Sequence, residues 1–177
     1  RRGNPEANIT ILIATGCHRG TTKAELIEKF GPEIVAKEQI VIHDCADENN
    51  MVTIGTLPSG GALRINRVAA EADLLISEGF IEPHFFAGFS GGRKSILPGV
   101  CSRRTIMQNH AHALDPAAPQ PNPLCGLGVT ALNPVHEDMA EAAALVGPVF
   151  GINMIADGQG RHLALPSGHW LQAWEES

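Results

Sequence analysis

The sequence predicts an α/β protein of three layers, in which helices cover a mostly parallel, Rossmann-like sheet that carries a hairpin insertion. Short β-branched apolar runs alternate with helical segments, and turn residues separate them. A chain of 177 residues is long enough to bury one hydrophobic core. We expect residues 1–165 to form this catalytic domain, truncated at its start. We expect residues 166–177 to begin a helix or linker toward a further C-terminal domain.

Residues 1–72 contain two of the three expected core strands. The run ITILIA at residues 9–14 is typical of a buried parallel strand. Gly and Pro together at residues 31 and 32 end the helix that follows. In order, the predicted elements are a strand at 9–14, a helix from Thr22, a strand at 40–44, a hairpin at 51–66 that turns at 58–61, and a short helix from Asn66 to Ala72.

Residues 73–177 continue the alternation of strands and helices. Ser102 and Asn133 are good N-caps, and Pro134 suits the first position of a helix. In order, the predicted elements are a strand at 73–80, a helix from Ser102 to about His110, an irregular Pro- and Gly-rich segment at 115–128, a helix from Asn133 to Gly147, a strand at 149–156, and a turn at 157–160 that leads toward 163–165.

Composition excludes several classes of protein. Lys and Arg number 13 against 19 Asp and Glu, so the net charge of −6 provides no basic surface for nucleic acid or an anionic membrane. No apolar run is long enough for a membrane span or a signal peptide. The four cysteines form no C-x-x-C pair and are typical of reduced thiols in a cytoplasmic protein.

Two histidines follow the ends of predicted strands. His18 lies after the strand at 9–14, and His84 lies after the strand at 73–80. Ligands of open α/β sheets bind at the carboxyl ends of strands, so we expect both side chains in one crevice. For the remaining histidines other than His110, the sequence gives no comparable indication of a functional role; they are His43, His112, His136, His162 and His169.

The segment 88-GFSGGRKS-95 resembles a phosphate loop only in part. The G-x-x-x-x-G-K-[ST] pattern requires glycine at position 93, where this chain has Arg93. Gly88, Gly91 and Gly92 still allow a close backbone approach, and Arg93 and Lys94 supply positive charge. The residues alone leave two interpretations open, an anion-binding loop or a tight turn with a solvated Arg-Lys pair.

His110 is a candidate metal ligand without a metal-binding motif around it. Neither H-E-x-x-H nor C-x-x-C occurs in the chain. A histidine at the end of a predicted helix also stabilises the negative end of the helix dipole. The residues alone therefore favour a helix-capping role for His110. They still allow a metal site in which His110 is the one imidazole and the other ligands come from other parts of the protein or from a bound molecule.

Four segments together resemble a known family. They are 14-ATGCHRGTTKAE-25, 81-IEPHFFAGFSGGRKSILPGV-100, 104-RTIMQNHA-111 and 133-NPVHEDMAE-141. In order and spacing they are similar to the nickel-pincer-dependent lactate racemases, a family of 2-hydroxyacid racemases and epimerases. The resemblance runs from about Ile9 to Trp170, and the chain resembles an N-terminal domain fragment of that family.

The resemblance implies a role for each matching residue. His18 and His84 would be the two acid/base residues, on opposite faces of the substrate's reacting carbon. Lys94 would carry the nickel-pincer nucleotide, a modified pyridinium mononucleotide, through a thioamide bond, and His110 would complete nickel coordination. The implied reaction transfers hydride to the cofactor and passes through a planar 2-keto acid. The further cofactor-binding residues implied are Ser90, Gly91, Gly92 and Arg93.

The chain also departs from the family's pattern. It lacks an Asp-Arg segment ahead of the first strand and a second domain with substrate contacts, so we expect this fragment to lack nickel. Some members carry a small residue at the position of Arg93, and the segment at 115–128 is longer than expected. The implied partners are a small 2-hydroxyacid and the proteins that synthesise the cofactor. The alternative is a non-catalytic α/β module that binds an anion or nucleotide.

Overall fold

The computed structural model describes Asn4 and residues 6–177. The predicted domain start at residue 1 lies outside these residues. The strands are β1 (Thr10–Ile13), β2 (Gln39–Ile42), β3 (Met51–Thr56), β4 (Ala62–Asn66), β5 (Leu75–Phe80), β6 (Pro83–His84), β7 (Gly88–Phe89), β8 (Val149–Ala156), β9 (His162–Ala164) and β10 (Ser167–His169). The helices are α1 (Lys23–Phe30), α2 (Pro32–Lys37), α3 (Arg67–Ala70), α4 (Arg93–Ile96), α5 (Arg103–Ala111), α6 (Pro134–Leu145) and α7 (Trp170–Glu175), with a 3-10 turn at Glu48–Asn50.

The strands form several small sheets. Over the described part of the chain, β1 pairs with β2 and β5 with β8 in parallel, whereas the pairs β3–β4, β6–β7, β8–β9 and β8–β10 are antiparallel. The mixed α/β class and the hairpin insertion are therefore present. The single, mostly parallel three-layer sheet is not confirmed, because apolar runs identify strands but not the partner to which each one hydrogen-bonds.

Side-chain caps explain where three helices begin. The Thr22 hydroxyl accepts from the Glu25 amide and the Glu25 carboxylate accepts from the Thr22 amide, which completes a capping box at α1. Ser102 caps α5 and Asn133 caps α6, as predicted. Gly31 ends α1 as expected, but Pro32 immediately starts the unpredicted α2 because proline suits a first helical position.

The main core lies where β4, α4, α5 and α6 meet. Leu63 and Ile65 from the hairpin are fully buried, as are Val135 and Ala142 from α6. The segment between α4 and α5 bonds to the end of β4, since the Asn66 amide donates to the Val100 carbonyl. The hairpin insertion is thus fixed to the segment that leads into α5.

The last residues pack onto β8. Trp170 and Ala173 of α7 are buried against it, and β10 pairs with its first half. The Trp174 indole donates to the Ser90 carbonyl at 2.9 Å. Residues 167–175 are therefore joined to the body of the fold and to its Gly-rich turn.

The helices are all short. None of those in the described part of the chain is long and apolar enough to cross a lipid bilayer.

Gly79 allows β5 to lie against the Gly-rich turn. A Cβ at this position would stand 2.7 Å from the Gly91 carbonyl carbon and 2.9 Å from the Gly92 nitrogen. We expect Gly79→Ala to lower the free energy of unfolding by about 1–3 kcal/mol, because backbone atoms must move to admit the methyl group. Denaturant unfolding measures the change.

Gly158→Ala is the matched control, because a Cβ at Gly158 meets no atom within 4 Å. This variant is expected to stay within about 0.5 kcal/mol of the parent. Equal losses in the two variants would contradict the close packing of β5 on the turn.

Candidate active site

A cleft of about 600 Å³ opens beside the ends of β1 and β5. Its volume is in the usual range for small-molecule sites, about 300–1,000 Å³. His18 and His84 share this one crevice, as expected from their positions after strand ends. The sequence-predicted residues that line the cleft are His18, His84, Ser90, Gly91, Lys94 and His110.

The loop after β1 positions His18. Gly16 adopts a φ of 55°, and its amide donates to the Gly99 carbonyl at 2.9 Å. The Thr15 hydroxyl donates to the carbonyl of His43 at 2.6 Å, and the His18 amide closes the turn on the Thr15 carbonyl at 3.0 Å. These bonds hold an exposed histidine at the mouth of the cleft.

The short β6–β7 hairpin presents His84. The amides of Phe86 and Ala87 donate to His84 Nδ1 at 3.5 and 3.3 Å, long contacts that bias the neutral ring toward a proton on Nε2. The Phe85 ring stacks on the imidazole with centroids 4.7 Å apart. Burial, followed by the charge of Lys94, lowers the pKa of His84 to about 4, so the ring is neutral at pH 7.

The Gly-rich turn places Lys94 in the same cleft. The Ser90 hydroxyl donates to the Phe80 carbonyl at 2.6 Å and accepts from the Glu82 amide at 2.9 Å, which ties the turn to the end of β5. Burial lowers the pKa of the half-buried Lys94 amine, whereas the charge of Glu82 opposes the shift. A lysine with a lowered pKa is a better nucleophile, because more of it is unprotonated at neutral pH.

His110 enters the cleft from the last turn of α5. Its ring lies 5.0 Å from the Phe86 ring, and Phe86 also contacts His84. Its Nδ1 is 3.1 Å from Asn109 Oδ1. Burial, and then the charge of Lys94, lowers the pKa of His110, so a neutral imidazole is available as a ligand.

Two predicted cofactor-binding residues do not line the cleft. The Gly92 amide donates to Asn153 Oδ1 at 2.8 Å. The Arg93 guanidinium is buried, donates to the carbonyls of Ser90 at 2.5 Å and Phe89 at 3.0 Å, and lies over the Trp174 ring at 4.2 Å. Its contacts hold the turn that carries Lys94, and the sequence had suggested an exposed charge instead.

His136 shares the buried site of Arg93. Arg93 Nη2 donates to His136 Nδ1 at 3.0 Å, and burial, then the Arg93 charge, lowers the His136 pKa to about 4. In the unfolded chain His136 binds a proton near its ordinary pKa of 6.5, whereas in the folded chain it binds that proton only near pH 4. Stability should fall as the pH decreases through this window.

His136→Gln is expected to weaken this pH dependence, because glutamine keeps an acceptor for Arg93 and does not titrate. Urea unfolding at several pH values between 6.5 and 4 measures how steeply the free energy of unfolding changes with pH in the parent and in the variant. Identical slopes would show that His136 titrates alike in the folded and unfolded chains.

One wall of the cleft is apolar, and its residues were not predicted from the sequence. Phe85 and Met107 line the cleft and are 71% and 59% exposed. Helical spacing could have placed Met107 beside His110, since residues three apart share a helix face. Large apolar side chains exposed at a cleft provide a binding surface for a ligand.

The donors in the cleft fit a ligand that carries its own metal. His110 offers one ring nitrogen and Lys94 offers one amine to the same space. Within Asn4 and residues 6–177, no group of three or more His, Cys, Asp or Glu side chains is arranged to hold a metal. Gly91 lines the same cleft as both donors.

Comparison with known proteins assigns the chain to a family. The sequence-family model of the lactate racemase N-terminal domain matches residues 1–120. The chain belongs to this family. The resemblance of its four sequence segments is thereby confirmed.

Two relatives of the family are similar over most of the chain. Lactate racemase from Thermoanaerobacterium thermosaccharolyticum is 51% identical over 169 residues, which cover 96% of this chain and 38% of that protein. Lactate racemase from Lactiplantibacillus plantarum is 53% identical over 153 residues, which cover 86% of this chain and 35% of that protein. The chain thus spans little more than a third of the length of these relatives.

A solved structure from the family agrees with the assignment. The lactate racemase apoprotein from T. thermosaccharolyticum superposes with a TM-score of 0.92 at 49% identity and covers 99% of this chain and 41% of that one. A Thermotoga maritima protein, at 21% identity and a TM-score of 0.71, covers 94% of this chain and 44% of that one. The second likeness shows the fold alone.

Proposed function

We propose that the protein is an isomerase that racemises lactate-type 2-hydroxyacids with a nickel-pincer nucleotide. The observation that carries the proposal is the single cleft lined by His18, His84, Lys94 and His110. Two relatives more than 50% identical are named lactate racemase. Since the chain spans little more than a third of those proteins, the activity is proposed for the longer protein.

Lys94 and His110 would hold the cofactor. The Lys94 amine would condense with a thiocarboxylic acid group of the nucleotide to form the thioamide, with loss of water. His110 would offer Nε2 to nickel while Nδ1 contacts Asn109. Ser90 and Gly91 border the same space. When bound, the nickel-pincer nucleotide supplies a carbon that accepts a hydride. Arg93 would support this site by holding the turn.

The two histidines would exchange the hydroxyl proton of the substrate. Loss of hydride from C2 of a 2-hydroxyacid must be accompanied by loss of the hydroxyl proton, which leaves a planar 2-keto acid. A base is needed for each enantiomer because their hydroxyl groups point in different directions, and imidazole titrates in the useful range. His18 would serve one face and His84 the other.

Lys94 also affects His84 through its charge. Burial is the first cause of the low pKa of His84, and the Lys94 charge is the second. A thioamide bond at Lys94 would remove the charge of that amine, which is the second cause of the low His84 pKa.

The proposal also includes the domain organisation and the cellular location of the protein. Residues 1–165 would form the catalytic α/β domain of a cytoplasmic protein, and residues 166–177 would lead toward the following domain. The parallel pairs β1–β2 and β5–β8 support a Rossmann-like arrangement of the strands next to the cleft.

The test is production of the full-length protein together with the cofactor-synthesis proteins. We expect bound nickel and interconversion of D- and L-lactate, which is the first substrate to assay in a panel of enantiopure 2-hydroxyacids. Nucleotide binding without turnover of any panel member would favour the non-catalytic binding module instead.

A further inference from the structure

A buried row of hydrogen bonds lies behind His110. Asn109 Oδ1 contacts His110 Nδ1 at 3.1 Å, and Asn109 Nδ2 donates to the Val135 carbonyl at 3.2 Å and to Asp138 Oδ2 at 3.3 Å. The Asp138 carboxylate in turn accepts from the Ser59 amide at 3.0 Å and the Ser59 hydroxyl at 2.8 Å. Asn109 and Asp138 are both 0% exposed.

These partners decide which way the Asn109 amide points. Its NH₂ group carries only donors, and the Val135 carbonyl and the Asp138 carboxylate carry only acceptors. The reverse orientation would set the amide oxygen against both acceptors and remove two hydrogen bonds from this buried site, which is unfavourable. Oδ1 therefore faces His110 and accepts a hydrogen bond from its protonated Nδ1. The lone pair of His110 is then on Nε2.

A second buried asparagine–histidine pair has the opposite arrangement. Asn66 Oδ1 caps α3 by accepting from the Val68 amide, so its NH₂ group faces His43 Nδ1 at 3.2 Å. His43 Nε2 lies 2.9 Å from the Cys101 carbonyl and must carry the proton. The fold thus contains one Asn–His pair for each histidine tautomer, and of these two histidines His110 lines the cleft whereas His43 does not.

We propose that Asn109 and Asp138 are positioning residues that hold His110 as the Nδ1–H tautomer and so present its Nε2 lone pair to a metal ion in the cleft. Asp138 on α6 fixes the Asn109 amide, and Asn109 fixes the imidazole at the end of α5. Ligating histidines commonly donate their other ring N–H in this way, which sets the ring orientation and raises the basicity of the ligand. The identity of the metal rests on the proposed function.

The first test reads the tautomer directly. In metal-free full-length protein labelled with ¹⁵N, long-range ¹H–¹⁵N spectra should show a protonated Nδ1 for His110 and a protonated Nε2 for His43. His110→Gln identifies the His110 signals. If the His110 ring is protonated on Nε2 in the parent protein, this spectrum alone overturns the proposal.

Two variants test the roles of the asparagine and the aspartate. Asn109→Leu removes the acceptor, and the isosteric Asp138→Asn lets the Asn109 amide turn over while changing packing least. Each should lose the Nδ1–H preference of His110 and leave His43 unchanged. Asn66→Leu is the matched buried control: it should leave the His110 tautomer unchanged, and His43 should keep its Nε2 proton on the Cys101 carbonyl. An unaltered His110 tautomer in folded Asp138→Asn would contradict the role of Asp138.

The second test measures the metal. In full-length protein loaded with cofactor, Asn109→Leu and Asp138→Asn should hold nickel about 10–100-fold less tightly in competition with a chelator. Asn66→Leu should retain nickel like the parent. Equal retention in all three variants would overturn the positioning role. A parent protein that binds no nickel would instead overturn the proposed function, and the tautomer spectra would still decide the positioning.

Discussion

Replacement of His84 by glutamine is expected to lower kcat for lactate racemisation by about 10²–10⁴-fold, the usual contribution of a general acid or base. Glutamine keeps a polar side chain of similar length but cannot take the hydroxyl proton. His84 lines the cleft together with His18, so His18→Gln should cause a loss of the same order. Racemisation rates from each enantiomer, together with nickel content, measure the effect.

Nickel content is the internal control for this prediction, since neither histidine is assigned to the metal. His162→Gln is the matched variant, because His162 is exposed on β9 and does not line the cleft. Near-parental racemisation in either cleft variant, with nickel retained, would remove that histidine from the acid/base role.

Lys94→Arg is expected to abolish covalent attachment of the nucleotide. Arginine keeps the positive charge in the cleft, but its guanidinium does not act as the amine nucleophile that forms a thioamide. The intact mass of full-length protein produced with the cofactor-synthesis proteins should lack the nucleotide increment. Racemisation should fall with it.

Lys37→Arg is the control for that experiment, because Lys37 is an exposed residue at the end of α2. It should keep both the mass increment and the activity. A nucleotide increment that persists in Lys94→Arg would place the attachment elsewhere in the protein.

Local sequence signals predicted most of the individual elements. The caps at Thr22, Ser102 and Asn133 mark helix starts, because a side-chain acceptor satisfies amides that the helix leaves free. The strand at 149–156 matches β8 residue for residue. These features depend on neighbours in sequence and can therefore be read from it.

The division into small sheets depends on contacts between distant residues. The β8 strand pairs with β5 in parallel and with β9 and β10 in antiparallel, and no local pattern distinguishes these partners. The two-residue strands β6 and β7 are too short to show a periodicity, although they carry His84.

The candidate site was predictable in outline but not in its supporting contacts. Strand ends indicated that His18 and His84 would meet, and family resemblance added Lys94 and His110. The burial of Arg93 against Trp174 joins residues far apart in sequence. The orientation of Asn109 likewise follows from Asp138 on another helix, so neither feature has a local signal.

The central claim is that the histidines handle the hydroxyl proton and that the C2 hydrogen moves as hydride. It is tested most directly with lactate that carries deuterium at C2, incubated in ordinary water with the full-length, cofactor-loaded protein. We expect the opposite enantiomer to form with deuterium still at C2. Replacement of that deuterium by solvent hydrogen during racemisation would show that a base removes the C2 proton, and it would contradict the account.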